Sequence, residues 1–212
     1  NDKKIAAGTM TRSGATCPGC SAIMTMQDIR LEGRAGRLGT AHTAVVVDGQ
    51  KGQEYRLPTA HELELPKEAQ QSVESVYANV AFGVPSEPLA SKEALGFRVP
   101  LYGFDRWDKL FTARQLVAIG RFVSALAAST AAMADYGYSP DWLESLRAYL
   151  AVGVDKQVDR SSTMCRWDQG YTKVHSTFAR FALPILWDFC EVNPFSQTTG
   201  NWNSCVEWVA ES

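Results

Sequence analysis

A chain of 212 residues with 45% hydrophobic and 10% aromatic side chains can bury one sizeable core plus a small appendage. Its net charge of −2 supplies no overall field to attract nucleic acid, so contact with DNA requires a local basic patch. No apolar run approaches the roughly 18 residues of a membrane span, Asn1-Asp2-Lys3-Lys4 leads into no signal-type stretch, and five cysteines form an odd set that suits a reducing cytoplasm better than a disulfide framework.

Residues 1–58 are glycine-rich with short apolar alternations such as Ala44-Val45-Val46-Val47, and read as small β-hairpins rather than helices. Residues 59–212 turn helical. Thr59 and Glu62 form a capping box, after which Leu65, Ala69, Val73, Val76 and Val80 follow one helix face. Residues 84–100 read as a loop because of their prolines and glycine. Thr112 and Gln115 repeat the capping pattern and open a long alanine-rich helix to about Ala134, and Ser139-Pro140 opens the next, since proline fits the first helical position. Residues 176–190 predict a helix kinked at Pro184, and a short final helix begins near Asn201 or Asn203. The fold class expected is mainly α, a helical domain with a small N-terminal β or zinc-ribbon-like subdomain.

The run YLAVGVDKQVDRSSTMCRWD, residues 149–168, starts as an apolar helix and ends in a polar loop with an aromatic tip. Leu146, Tyr149, Leu150, Gly153, Val154 and Val158 recur at helical spacing, and the serines, threonine and aspartates that follow can hold a turn by side-chain hydrogen bonds. The same stretch either presents guanidinium groups and an indole to a partner or is a helix end tied down by local ion pairs. Cys17-Pro18-Gly19-Cys20 is the one metal-like motif: two thiolates in a tight turn can face one zinc ion. No second CxxC follows, so the pair is either half of a zinc site or two reduced turn cysteines. Arg30, Arg34 and Arg37 lie in a glycine-containing loop after this turn, a natural place for phosphate contacts, though such glycine-arginine turns more often are simply solvated, which is the reading favoured here. His175 has no carboxylate partnered to it by spacing and reads as a helix-start residue, and Asn193-Pro194-Phe195 reads as a turn.

Residues 149–168, together with FARFALPILWDFCEVNPFSQTTGNW (178–202), LYGFDRWDKLFTARQL (101–116), GTMTRSGATCPGC (8–20) and YRLPTAHELE (55–64), resemble in sequence and order a family of large prokaryotic adenine-specific DNA methylases. The DRSSTMCRWD-type and EVNPFS-type runs are the most specific of these. The resemblance implies an internal region between the cofactor loop and the catalytic motif of a longer S-adenosylmethionine-dependent enzyme. This chain has neither the Asp-Pro-Phe-x-Gly-x-Gly-type loop nor the Asp-Pro-Pro-Tyr motif of such enzymes, so it is expected to hold no catalytic residue and to methylate nothing alone. The resemblance also implies that Cys17 and Cys20 are half of a zinc ribbon whose partner CxxC lies elsewhere in the parent protein.

Two functions follow as expectations. The first is a target-recognition or scaffolding region in contact with DNA and with the rest of the methyltransferase chain, using Lys156, Arg160, Arg166, Trp167, Lys173 and Arg180. The alternative is a structural or protein-interaction module of a phage-defence or restriction protein. Convergence of these cations on one open face favours DNA, whereas ion pairs with Asp155, Asp159, Asp168 and Asp188 favour a structural role.

Overall fold

Helices begin where a short oxygen-bearing side chain precedes an apolar run, because that oxygen takes up an N–H of the first turn that has no partner within the helix. In the computed structural model, which describes residues 8–179 and 182–212, three complete capping boxes do this. Thr25 starts α1 (Met26–Arg34), Thr59 starts α2 (Ala60–Tyr77) and Thr112 starts α4 (Ala113–Asp135), with Asp28, Glu62 and Gln115 returning to the cap N–H at 2.8, 2.7 and 2.8 Å. Ser91 caps the single turn α3 (Lys92–Leu95), Ser139 caps α5 (Pro140–Val158), and Asn201 caps α6 (Trp202–Ala210). The chain is mainly α. Among the described residues the strands form three separate antiparallel pairs: β1 (Gly14–Thr16) with β2 (Ile23–Thr25), β3 (Val45–Gly49) with β4 (Gly52–Arg56), and β5 (Trp167–Asp168) with β6 (Lys173–Val174).

Helix α2 packs on α4, α4 on α5, and α5 on α6. Gly120 allows the first of these crossings, since a Cβ there would stand 2.6 Å from Val76 Cγ1 and 2.9 Å from Tyr77 Cε2. Val73, Val76, Tyr77, Val80 and Leu116 are buried at this crossing. Burial also pushes the Tyr77 phenol up to about 12. A second core gathers Leu89, Phe97, Val99, Leu110, Met164 and Leu183, so the irregular stretch before α4 closes over the loop that follows α5. Ala15, Ile29 and Tyr102 form a third, which seats β1 and α1 on the 3₁₀ turn Val99–Tyr102. The far ends of α4 and α5 extend beyond these cores and leave Tyr136, Tyr138, Trp142 and Tyr149 exposed.

Three expectations are corrected. The N-terminal region contains a regular helix, α1, among its hairpins, because Thr25 and Asp28 supply the same capping box as the later helices. Arg30 and Arg34 therefore lie on a helix rather than in a loop. No helix forms at 182–190: Pro184 lacks the N–H a helix interior needs, Leu183 is committed to the second core, and the Cys190 N–H donates to the Cys165 carbonyl at 2.8 Å. Finally, α4, at 23 residues, is by length and composition long and apolar enough to cross a membrane. Its Arg121, Ser124, Ser129 and Thr130 break the apolar run that a sequence scan looks for, while its base packs on α2 and α5.

Candidate nucleic-acid interface

The polar run after α5 turns mostly inward. Ser161, Ser162, Thr163, Met164 and Cys165 are all buried, with Ser162 and Cys165 fully so. Buried hydroxyls need partners, and these have them. Thr163 donates through both its N–H and its Oγ1 to the Leu110 carbonyl at 2.8 Å. Ser162 Oγ lies 2.8 Å from Thr177 Oγ1 and accepts the Met164 N–H at 3.0 Å. Asp159 accepts from the N–H groups of Thr177 (2.7 Å, backbone) and Phe178 (2.9 Å, side chain). The segment Asp159–Cys165 thus pins the post-helical loop to the turn before α4.

Only Arg166, Trp167 and Asp168 emerge, on a short hairpin that pairs Trp167 with Val174 and Asp168 with Lys173. Asp168 Oδ1 accepts the N–H groups of Gly170 and Tyr171, at 2.9 and 3.2 Å, which shapes the turn. The indole N–H of Trp167 donates to Tyr55 Oη on β4 at 3.0 Å, and Gln53 Nε2 reaches the Thr172 carbonyl at 3.4 Å, so the two hairpins stand side by side. Tyr55 and Tyr171 are exposed and Trp167 is half-buried. Lys173 Nζ lies 5.0 Å from the centre of the Tyr171 ring. Arg166 is exposed, with its Nη2 3.2 Å from His175 Nε2.

His175 Nε2 is also 2.7 Å from Asp168 Oδ2. One ring nitrogen cannot both donate to Asp168 and accept from Arg166, and the shorter contact with a carboxylate fixes it as the donor. His175 is therefore a hairpin residue paired to a carboxylate, not the start of a helix. The turn brings the partners together from seven residues apart. The His175 ring, with the N–H groups of Tyr171 and Gly170, holds the Asp168 carboxyl below its ordinary value of 3.8. A carboxylate with a depressed folded-state value contributes stability above its unfolded value and loses that contribution as pH falls through the folded one. Asp168→Asn is accordingly expected to lower the melting temperature at pH 7, with the difference from wild type shrinking below about pH 4 and disappearing in strong acid; a gap that persists there would place the effect elsewhere.

The other candidate cations do not join this surface. Arg160 is part-buried, donating to the Val174 carbonyl at 3.2 Å with Asp159 Oδ2 3.9 Å from its Nε. Lys156 Nζ sits 3.3 Å from the centre of the Trp208 ring, across the α5–α6 contact. Arg180 lies outside the described residues. Among the described residues, Asp159 is the only one of the four named aspartates within ion-pair distance of a candidate cation. The candidate site residues expected from the sequence do not include Tyr55, Tyr171 or His175; the Gly170-containing turn between two short polar-aromatic runs is the hairpin signal that points to the latter two.

At the β1–β2 turn, the N–H groups of Cys20 and Gly19 and the Cys20 thiol hold the Cys17 thiol below its usual value. N–H groups aimed at a sulfur favour a thiolate, the form that binds zinc. The Cys17 N–H donates to Ala22 and the Ser21 N–H to Cys17, at 2.8 and 2.9 Å, with Ser21 in the left-handed region at φ 59°. The pair thus fits as two zinc ligands, but among the described residues no His, Cys, Asp or Glu joins them to form a group of three. The three N-terminal arginines diverge: Arg30 lies 5.4 Å from the centre of the Tyr102 ring, Arg37 pairs with Glu32 at 2.6 Å, and Arg34 ends α1 in solvent. Asn193-Pro194-Phe195 is a turn, with Asn193 Oδ1 accepting the Phe195 N–H at 3.0 Å and the Pro194 carbonyl accepting from Trp202 at 2.8 Å. No protein-family model, curated protein or solved structure matches the chain.

Proposed function

We propose that this chain is the target-recognition or scaffolding region of an S-adenosylmethionine-dependent adenine-specific DNA methyltransferase, and that DNA meets it on the β5–β6 hairpin. The observation that carries the reading is that one short hairpin gathers aromatic rings and cations: Trp167 with Tyr55 of the neighbouring hairpin, and Tyr171 at its turn beside Lys173, with Arg166 exposed at its base. Aromatic faces stack on bases of every sequence, and cations beside them neutralise phosphates, so the combination suits a nucleic-acid strand even on a chain of net charge −2. In this reading the region is cytoplasmic and is held against the rest of the methyltransferase, which supplies the cofactor loop and the catalytic motif. Cys17 and Cys20 then hold one side of a zinc ribbon whose other ligands belong to that larger protein. Zinc would lock the turn as a structural cross-link, and the chemistry stays with the parent enzyme.

The test separates the jobs of the two side-chain types in titrations with duplex DNA at several salt concentrations. Arg166→Ala is expected to weaken binding and to flatten the slope of log affinity against log salt by about one unit per lost phosphate contact. Trp167→Ala is expected to weaken binding at an unchanged slope. Unaltered DNA affinity in both variants, together with lowered melting temperatures, would sink the reading.

The alternative, a protein-interaction module of a phage-defence or restriction protein, draws on a different observation: the exposed Tyr136, Tyr138 and Trp142 at the tip of the α4–α5 hairpin. Clustered exposed aromatic rings are common at protein interfaces.

A further inference from the structure

Helices α4 and α5 do not close completely against the segment that precedes α6. Between them lies a cavity of about 160 Å³. A dry cavity of about 150 Å³ in another protein takes benzene, so this volume suits one six-membered ring. Phe122, Ile119, Ala118 and Pro194 give it apolar walls. The polar wall is unusual. Gln115, Gln157 and Ser161 all line the cavity, yet are only 5%, 2% and 7% exposed.

The hydrogen bonds of these three groups leave a defined remainder. Gln115 Oε1 is occupied by the Thr112 N–H at 2.8 Å, while Gln115 Nε2 is buried with no partner among the described residues. Both hydrogens of Gln157 Nε2 are used, on Ser161 Oγ at 3.1 Å and the Gly200 carbonyl at 2.9 Å. Gln157 Oε1 receives only the weak S–H of Cys205 at 3.8 Å. Ser161 Oγ accepts from Gln157, and its own hydrogen has no acceptor among the described residues. What remains is two donor groups and one strong acceptor beside the apolar walls of the cavity. Buried amides are ordinarily satisfied, and an uncommitted one in a cavity wall has a partner to gain.

We infer that this cavity is a binding site for a single planar ring bearing a lactam or carboxamide, the size of a pyrimidine base or of nicotinamide. The carbonyl of such a ring accepts from Gln115 Nε2 or Ser161 Oγ, its N–H donates to Gln157 Oε1, and its apolar part lies among Ala118, Ile119, Pro194 and Phe122, whose ring is itself packed against Phe195 and Trp202. The Arg114–Glu191 ion pair, 2.9 Å long and part-exposed, also lines the site and leaves it open to polar substituents on the ring. This site is separate from the hairpin proposed to meet DNA and does not depend on that reading.

Calorimetric or ligand-observed NMR titration of the full chain with uracil, nicotinamide and benzene tests it. Saturable binding of at least one of the two amides is expected, with a dissociation constant on the order of a millimolar for so few atoms, and benzene at least about tenfold weaker. Gln115→Glu retains an oxygen for the Thr112 N–H but removes the free donor, and is expected to weaken amide binding at least about tenfold. Ala118→Leu fills the cavity and is expected to abolish binding without lowering the melting temperature. It stands as the deciding variant should Gln115→Glu not fold. Absence of saturable amide binding, benzene binding as tightly as the amides, or amide affinity unchanged by Ala118→Leu would each overturn the proposal.

Discussion

Leu110→Ala is expected to lower the stability of the chain by about 2–5 kcal/mol, the range for deleting a fully buried leucine side chain whose surroundings cannot collapse. Leu110 has no exposed surface and touches a core assembled from four separate stretches: the loop before α3, the 3₁₀ turn Val99–Tyr102, the segment after α5 and the segment before α6. None of these is a regular element that can slide to fill the space. In a chain of this size each kcal/mol shifts the melting temperature by roughly 2–4 °C, so a drop on the order of 10 °C is expected in a thermal or denaturant melt. Leu57→Ala is the comparison: Leu57 is 80% exposed and its loss should stay within about 0.5 kcal/mol. Equal effects from the two substitutions would show that the core is not where these contacts put it.

Gly33→Ala should have the second large effect, against the direction of helix propensity. Replacing a helical glycine by alanine ordinarily gains up to about 1 kcal/mol. Here the added Cβ would run into the Tyr102 carbonyl oxygen, with the Tyr102 carbonyl carbon at 2.7 Å and Leu38 Cδ1 at 3.0 Å. The crowding is mutual. Gly103, in the left-handed region at φ +90°, would drive its own Cβ onto the Gly33 carbonyl. Backbone cannot rotate away as a side chain can, so α1 must lift from the turn and expose Ile29 and Ala15. An overpacking cost of about 1–3 kcal/mol is expected, and it should appear first as faster proteolysis at residues 35–44 rather than as global unfolding. Gly36→Ala is the control, because its Cβ meets nothing and only the positive φ opposes it. Slower cleavage of Gly33→Ala than of Gly36→Ala would refute the close contact.

Helix starts were legible from the chain because their signal is local. A threonine oxygen and an acid or amide three residues on satisfy each other's backbone whatever surrounds them, as at Thr59–Glu62 and Thr112–Gln115. The Thr25–Asp28 pair carries the same signal and was obscured by the glycines and arginines around it. Residues 182–190 misled because leucine, isoleucine and phenylalanine at helical spacing are equally compatible with an irregular strand laid over a core. The candidate interface was legible only in part. Arg166, Trp167 and Lys173 are close in sequence, so a hairpin unites them. Their neighbour Tyr55 is more than a hundred residues away, and its contact with Trp167 depends on how the β3–β4 pair docks. The inward turn of Ser161–Cys165 was likewise hidden, since hydroxyl-rich runs are as common in buried capping networks as on surfaces.

The α4–α5 hairpin is anchored at one end only. At about 1.5 Å per residue, α4 is about 35 Å long, yet its buried residues, Gln115, Leu116 and Gly120, all belong to its first two to three turns. The hairpin is thus a cantilever. Near its free end each turn is held by little beyond its own hydrogen bonds and the facing helix, so opening there costs far less than opening at the root. Amide hydrogens along a single helix would then exchange by two regimes: local fraying near Met133 and Tyr136, and whole-molecule unfolding near Leu116 and Gly120. A spectroscopic label at the tip would report the first process and remain silent about the second.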